Sequence, residues 1–217
     1  MKAIKVFIIG VVAILVTACS GEQTGPYNQG VYMLIDTSGT YTKELDSAQR
    51  IINFTLSKLN PGDTFAVARV DTGSFSEKDI VYKQSFDDRP SITNQQKRKF
   101  RDAINKFVKN VKPSSYTDIT GGILQAIEYL NEAGTGKKTI LIFSDLKEEL
   151  RKGFIRDIPL QLNGFDVIAV NVTKLRSDNV DPREYLKRLD DWQKKVESGS
   201  GVWKVINDLE RLDPIFN

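Results

Sequence analysis

Runs of apolar residues alternate with helical periodicities along this chain. Val31-Tyr32-Met33-Leu34-Ile35 is continuously apolar and then turns polar, as a strand buried on both faces would. Leu45, Ala48, Ile52, Leu56 and Leu59 recur every three or four residues and predict a helix stopped by Asn60-Pro61-Gly62. Residues 64–70 (TFAVARV) read as a second strand and 80–86 as a more alternating third, with the loop 71–78 short enough for a hairpin. Thr93 and Gln96 match a capping box, opening a helix whose apolar face is Phe100, Ile104, Phe107, Val108 and Val111. Ile119, Ile123, Ile127 and Leu130 mark another helix, and 138–143 (KTILIF) and 165–172 (FDVIAVNV) two more buried strands. Asp181-Pro182-Arg183-Glu184 predicts a helix start with Pro at the first position, burying Leu186, Leu189, Trp192 and Val196. Residues 202–206 suit a short last strand and 208–212 a final helical turn or two.

This order predicts an α/β fold: a doubly wound, mostly parallel sheet with one antiparallel edge strand and helices on both faces. In such sheets ligands bind beyond the carboxyl ends of the strands, where the strand order reverses. The residues just after each strand are therefore the candidates for chemistry.

The N-terminus follows a different pattern. Residues 1–5 are short and basic, and 6–16 form an apolar run broken only by Gly10, too short for a finished transmembrane helix. Val16-Thr17-Ala18-Cys19 resembles the lipobox of bacterial lipoproteins. That resemblance implies a signal peptide over 1–18 and lipidation of Cys19, the chain's one cysteine. Two or three acyl chains give the stable anchoring that one does not. Ser20 stands where inner-membrane retention usually shows Asp, which points to the outer membrane in a Gram-negative host. Residues 19–29, small, polar and Gly/Pro-bearing, read as a tether, leaving 30–217 as one domain.

Composition narrows the function. With no histidine, His-based catalysis, Ser-His-Asp and Cys-His triads and most zinc sites are excluded. A single cysteine excludes an internal disulfide framework. The 31 basic residues lose Lys2 and Lys5 with the signal, leaving 29 against 28 acidic ones, a net charge of +1. That balance predicts no nucleic-acid partner. A binding domain or a carboxylate-based metal site remains.

Oxygen donors gather where the fold would place a ligand. Asp36-Thr37-Ser38-Gly39-Thr40 follows the first strand, Ser144-Asp145 follows the KTILIF strand, and Ser115-Tyr116-Thr117-Asp118 precedes the Ile119 helix. Carboxylates and hydroxyls without nitrogen or sulfur suit hard divalent ions such as Mg²⁺. Hydroxyl ligands neutralise no charge, so a bound ion would keep the Lewis acidity to accept an outside carboxylate.

These residues resemble the metal-ion-dependent adhesion site of von Willebrand factor type A (VWA) domains. The family pattern Asp-x-Ser-x-Ser, then a distant Thr, then a distant Asp matches Asp36, Ser38 and Thr40, then Thr117, then Asp145. Leu59-Asn60-Pro61-Gly62-Asp63 before Phe65-Ala66-Val67 resembles the family's approach to its second strand, and the similarity spans roughly residues 30–213. The resemblance implies direct hydroxyl ligands from Ser38, Thr40 and Thr117, with Asp36 and Asp145 acting directly or through water. Mg²⁺ is the expected cation, with Mn²⁺ or Ca²⁺ as alternatives. The sixth position would take a partner's Glu or Asp. Departures lie at Thr40 for the commoner Ser, at Ser115-Tyr116 where glycines often stand, and at Leu146-Lys147 where Gly is usual.

Other motifs fit less well. Asp71-Thr72-Gly73 has the look of an aspartic-protease loop, but that chemistry needs a second such loop and an all-β frame. Asp36-Thr37-Ser38 lacks the second Asp of a haloacid-dehalogenase-like phosphatase. The run 134–139 (GTGKKT) precedes a strand and lacks phosphate-loop spacing. The expected function is a non-enzymatic, membrane-tethered module that captures an acidic side chain of another envelope or extracellular protein through a cation. The competing expectation is a scaffold of the same fold with a non-functional metal site. A phosphotransfer enzyme using Asp36 is a distant third.

Overall fold

The computed structural model describes residues 27–39, 41–70 and 76–216. Six strands form one sheet: β1 Gln29–Ile35, β2 Thr64–Arg69, β3 Ile80–Ser85, β4 Lys137–Phe143, β5 Phe165–Val170 and β6 Val202–Ile206. Four helices cover it: α1 Leu45–Lys58, α2 Pro90–Asn110, α3 Ile119–Glu132 and α4 Arg183–Ser198. The strand order is β3-β2-β1-β4-β5-β6, parallel throughout except for β3. It is the predicted doubly wound sheet with one antiparallel edge.

Strand alternation divides the interior into two layers. Val31, Met33 and Ile35 of β1, with Phe65, Val67, Leu141 and Phe143, face α1 and α2. Tyr32 and Leu34, with Ala66, Ala68, Ile140 and Ile142, face α3 and α4. A central parallel strand must be apolar on both faces to serve both layers, which is why 31–35 shows no polar alternation. Gly122 of α3 lets that helix approach closely: a Cβ there would lie 2.8 Å from Leu34 and Val70 side-chain carbons.

Several boundaries differ from the sequence expectation. Helix α2 opens at Pro90, three residues before the capping box read at Thr93. Proline's fixed φ suits the first helical position. Thr93 instead donates its hydroxyl to the Asp87 carbonyl, and Gln96 Oε1 accepts from Asp87 N at 2.9 Å, so the pair holds the preceding turn. Pro182 is the residue before α4 rather than its first, and the Asp181 carboxylate takes Arg183 N at 3.1 Å. Leu186 is 62% exposed, because Tyr185, Leu189, Trp192 and Val196 make the packed stripe of α4. The final turn is a short 3-10 segment at Asp213–Ile215, not a helix at 208–212, and it seats Leu212 and Ile215 in the core.

The β4–β5 crossover, residues 144–164, contains no helix. Leu160 and Leu162 pin it to the α3–α4 layer. The signal segment, Cys19, the tether up to residue 26, Thr40 and the protease-like loop 71–75 lie outside the described residues. Among the described residues no helix is long and apolar enough to cross a membrane.

Candidate metal centre

The order of strand addition reverses between β1 and β4, and these two parallel strands run level, with Ile35 opposite Phe143. Asp36 and Ser144 therefore leave the sheet side by side. Asp36 N bonds the Phe143 carbonyl at 2.9 Å, extending the ladder by one rung. The Asp36 side chain is fully buried. Its Oδ1 accepts from Ser38 N at 2.8 Å, an Asx turn that folds the loop back over the strand end. Its Oδ2 accepts from the Ser144 hydroxyl at 2.7 Å.

Ser38 lies on the same loop, mostly buried, and a one-residue parallel bridge joins it to Ser114. Gly39 N to Ser114 O and Ser114 N to Thr37 O, each 3.1 Å, stitch that loop to the approach of α3. Thr117 is buried on the same approach, and its N–H and carbonyl exchange bonds of 2.8 and 2.9 Å with Glu149. Thr117 is thereby fixed to the loop that carries Asp145. Asp118 caps α3 by accepting from Gly121 N at 2.8 Å, while its N–H reaches the Val70 carbonyl. Arg156 pairs with the Asp118 carboxylate at 2.6 Å, tying the crossover to this corner.

Asp145 is 3% exposed, and its Oδ1 accepts from Lys147 N at 2.9 Å. Burial pushes its carboxyl up to about 6, with the Asp36 charge adding to the rise and Lys147 and Arg188 opposing it. The two carboxylates predicted to share a crevice do feel one another. Tyr41 is buried nearby: burial, with the Asp36, Glu44 and Asp145 charges adding to it, holds its hydroxyl protonated far above neutral pH.

Of the five predicted ligand residues, the structure brings Asp36, Ser38, Thr117 and Asp145 to the carboxyl edge of the sheet around one corner. Thr40 lies outside the described residues. Among the described residues no three His, Cys, Asp or Glu side chains converge, so a cation here would depend on the hydroxyls as well as the two carboxylates. That all-oxygen set fits Mg²⁺-like ions.

Contacts that the sequence pattern did not signal support the site. Arg188 of α4 reaches the Asp145 carbonyl at 3.2 Å and pairs with buried Asp178 at 2.7 Å. The Trp192 indole N–H bonds the Leu146 carbonyl at 2.9 Å. Leu146 has φ +65° and is buried, the strained geometry that explains why glycine would suit this position.

No protein-family model matches the chain, and no curated protein does. Solved structures do. A von Willebrand factor type A protein from Catenulispora acidiphila is 17% identical with a TM-score of 0.56, over 87% of this chain and 41% of that one. The fold is that of a VWA domain. The pilus adhesin SpaC from Lactobacillus rhamnosus GG, in its open conformation, is 10% identical with a TM-score of 0.53, over 87% of this chain and 29% of that one. An aerotolerance-related membrane protein from Bacteroides fragilis is 14% identical with a TM-score of 0.45, over 87% of this chain and 96% of that one. The chain thus spans less than half the length of the first two. In the VWA fold of this chain, the β1–β4 reversal is the point at which Asp36 and Asp145 meet.

Proposed function

We propose that this chain is a non-enzymatic binding module. In this reading it holds a divalent cation, Mg²⁺ before Mn²⁺ or Ca²⁺, at Asp36, Ser38, Thr40, Thr117 and Asp145. It captures another envelope or extracellular protein through an acidic side chain. Lipidated Cys19 would anchor it to a bacterial envelope membrane, the outer one in a Gram-negative host. The observation that carries the reading is the pair of buried carboxylates at the β1–β4 reversal, close enough for Asp36 to raise Asp145.

The chain's own residues do the positioning. Asp36 organises the first loop through Ser38 N and is itself oriented by Ser144. The Thr117–Glu149 exchange sets the second loop against the third. Lys147 N and Arg188 hold Asp145 from two sides. A bound cation supplies Lewis acidity towards an incoming carboxylate. With no histidine in the chain, the site offers no imidazole for acid–base chemistry, and we read it as a binding site.

Calorimetric titration of the full chain in non-ionic detergent with Mg²⁺ and Mn²⁺ tests this. Binding by the wild type and none by Asp36→Ala is expected; equal binding by both would sink the metal site. Fractionation of a Cys19→Ser variant tests the anchor, which should release the protein or leave it unprocessed.

The scaffold reading has one observation of its own. Phe154, Ile155 and Ile158 expose apolar surface on the helix-free β4–β5 crossover, which also carries Asp145. Partner binding that survives EDTA and Asp36→Ala would favour it.

A further inference from the structure

Beside Asp145 a cleft of about 460 Å³ opens between two walls, with Lys43 on one and Lys174, Leu175 and Arg176 on the other. Lys43, Lys174 and Arg176 are exposed, and none forms a salt bridge among the described residues. The nearest acidic groups are already engaged: Asp178 pairs with Arg188, and Glu44 accepts from Asn171 Nδ2 at 3.2 Å. Three cations thus line a cleft that also reaches buried Asp145, with the Lys174 ammonium 5.9 Å from the centre of the Tyr185 ring, in a chain whose overall charge is only +3.

Both walls are held in place. Asn171, at φ +56°, receives the Tyr41 hydroxyl on its carbonyl and donates from its side chain to Tyr41 and Glu44, the neighbours of the Lys43 turn. On the other wall Leu175 N donates to Asp178 at 2.7 Å, and Asp178 is fixed by two bonds from Arg188. Leu175 is turned partly inward, which leaves Lys174 and Arg176 outward on either side of it. Walls held in this way lose little loop entropy on binding.

We infer that this cleft selects an acidic peptide segment of the partner protein, one with several carboxylates in succession, through Lys43, Lys174 and Arg176. The inference rests on the metal-bridged capture proposed above: one carboxylate goes to the cation, and its neighbours along the segment meet the three basic side chains. Selectivity for a carboxylate cluster over a lone carboxylate then belongs to this chain's cleft, not to the ion.

The test uses the full chain in non-ionic detergent and three fluorescein-labelled probes. One peptide carries five Glu, a second of equal length carries one Glu among Gln and Ser, and an oligonucleotide matches the first in charge. Anisotropy is read in Mg²⁺ and in EDTA, beside a separate calorimetric Mg²⁺ titration. The five-Glu peptide should bind about tenfold more tightly than the one-Glu peptide, the sum of three modest exposed charge pairs. The triple variant Lys43→Gln, Lys174→Gln, Arg176→Gln should erase that preference without weakening Mg²⁺ in the titration. Equal affinity for both peptides with Mg²⁺ binding intact overturns the cleft inference and leaves the metal reading standing. A preference for five Glu that persists in a chain without Mg²⁺ binding, and disappears in the triple variant, upholds the cleft and sinks the metal bridge. Binding of neither peptide, or tighter binding of the oligonucleotide, overturns the inference.

Discussion

The Ser144 hydroxyl donates to Asp36 Oδ2 at 2.7 Å and accepts from Leu146 N at 3.0 Å. One side chain thereby connects the loop after β1 to the loop after β4, and it does so at full burial. Removing it takes a donor from a buried carboxylate and an acceptor from a buried N–H. Leaving such groups unmet costs about 1–3 kcal/mol. Ser144→Ala should lower stability by about 2 kcal/mol in urea unfolding and weaken Mg²⁺ in calorimetry. Ser144→Thr, which keeps the hydroxyl, should recover part of both.

Asp145 makes the metal-free protein pH-sensitive in an unusual direction. Its folded pKa of about 6, raised by burial and then by Asp36, lies above the ordinary aspartate value of 3.8. The fold therefore favours the protonated form, and the favourable term is complete below about pH 4. It is lost as pH rises through 6, so this group costs stability at neutral pH, on the order of 3 kcal/mol. Asp145→Asn should raise the neutral-pH melting temperature of EDTA-treated protein and flatten its profile between pH 4 and 6. Added Mg²⁺ should stabilise the wild type more at pH 7.5 than at pH 5, because proton and cation compete for one carboxylate. Equal Mg²⁺ stabilisation at both pH values would count against Asp145 as a ligand.

Legibility followed the physics of each element. β1, β4 and β5 stood out because strands buried on both faces leave continuous apolar runs, and the ends of β1 and β4 led directly to Asp36 and Asp145. The Thr93 and Gln96 pair misled because a hydroxyl and an amide three residues apart serve a turn before a helix as readily as its cap. Leu186 misled because one residue of slip on a helix is a rotation of about 100°, enough to leave the packed stripe. The burial of Trp192 was legible, but its bond to Leu146 and the contacts of Arg188 and Asn171 left no trace in the pattern. Their roles depend on which loop each one meets across the sheet edge, and only tertiary geometry decides that.

Asp178 titrates in the opposite sense to Asp145. The Arg188 guanidinium holds its carboxyl down at about 2, below the ordinary aspartate value of 3.8. Its contribution is present above about pH 4 and is lost as pH falls towards 2. Arg188→Met would leave a buried carboxylate unpaired, which costs about 3 kcal/mol. It would also free the Asp145 carbonyl and the Lys174–Arg176 wall. Urea unfolding at pH 7 should show the loss, and the double variant Asp178→Asn, Arg188→Met should recover part of it. A double variant as unstable as the single one would show that the Asp145 carbonyl contact, not the ion pair, matters most.

Leu146 sets backbone strain against packing at one residue. Its φ of +65° is a left-handed conformation that costs a non-glycine residue about 1 kcal/mol. Its side chain is 2% exposed and packs in the α3–α4 layer with residues that include Trp192 and Leu160. Leu146→Ala keeps the strain and loses the packing, an expected cost of about 3 kcal/mol. Leu146→Gly loses the same packing but releases the strain, so it should be less destabilising by about 1 kcal/mol. In an ordinary helix or strand the glycine variant would be the worse of the two. Chemical denaturation of both variants reads the order directly. If glycine instead proves worse than alanine, the loop after Asp145 does not hold its left-handed turn in solution. If the predicted order holds, the bulky residue in the place where glycine is usual contributes packing that outweighs the strain of its turn.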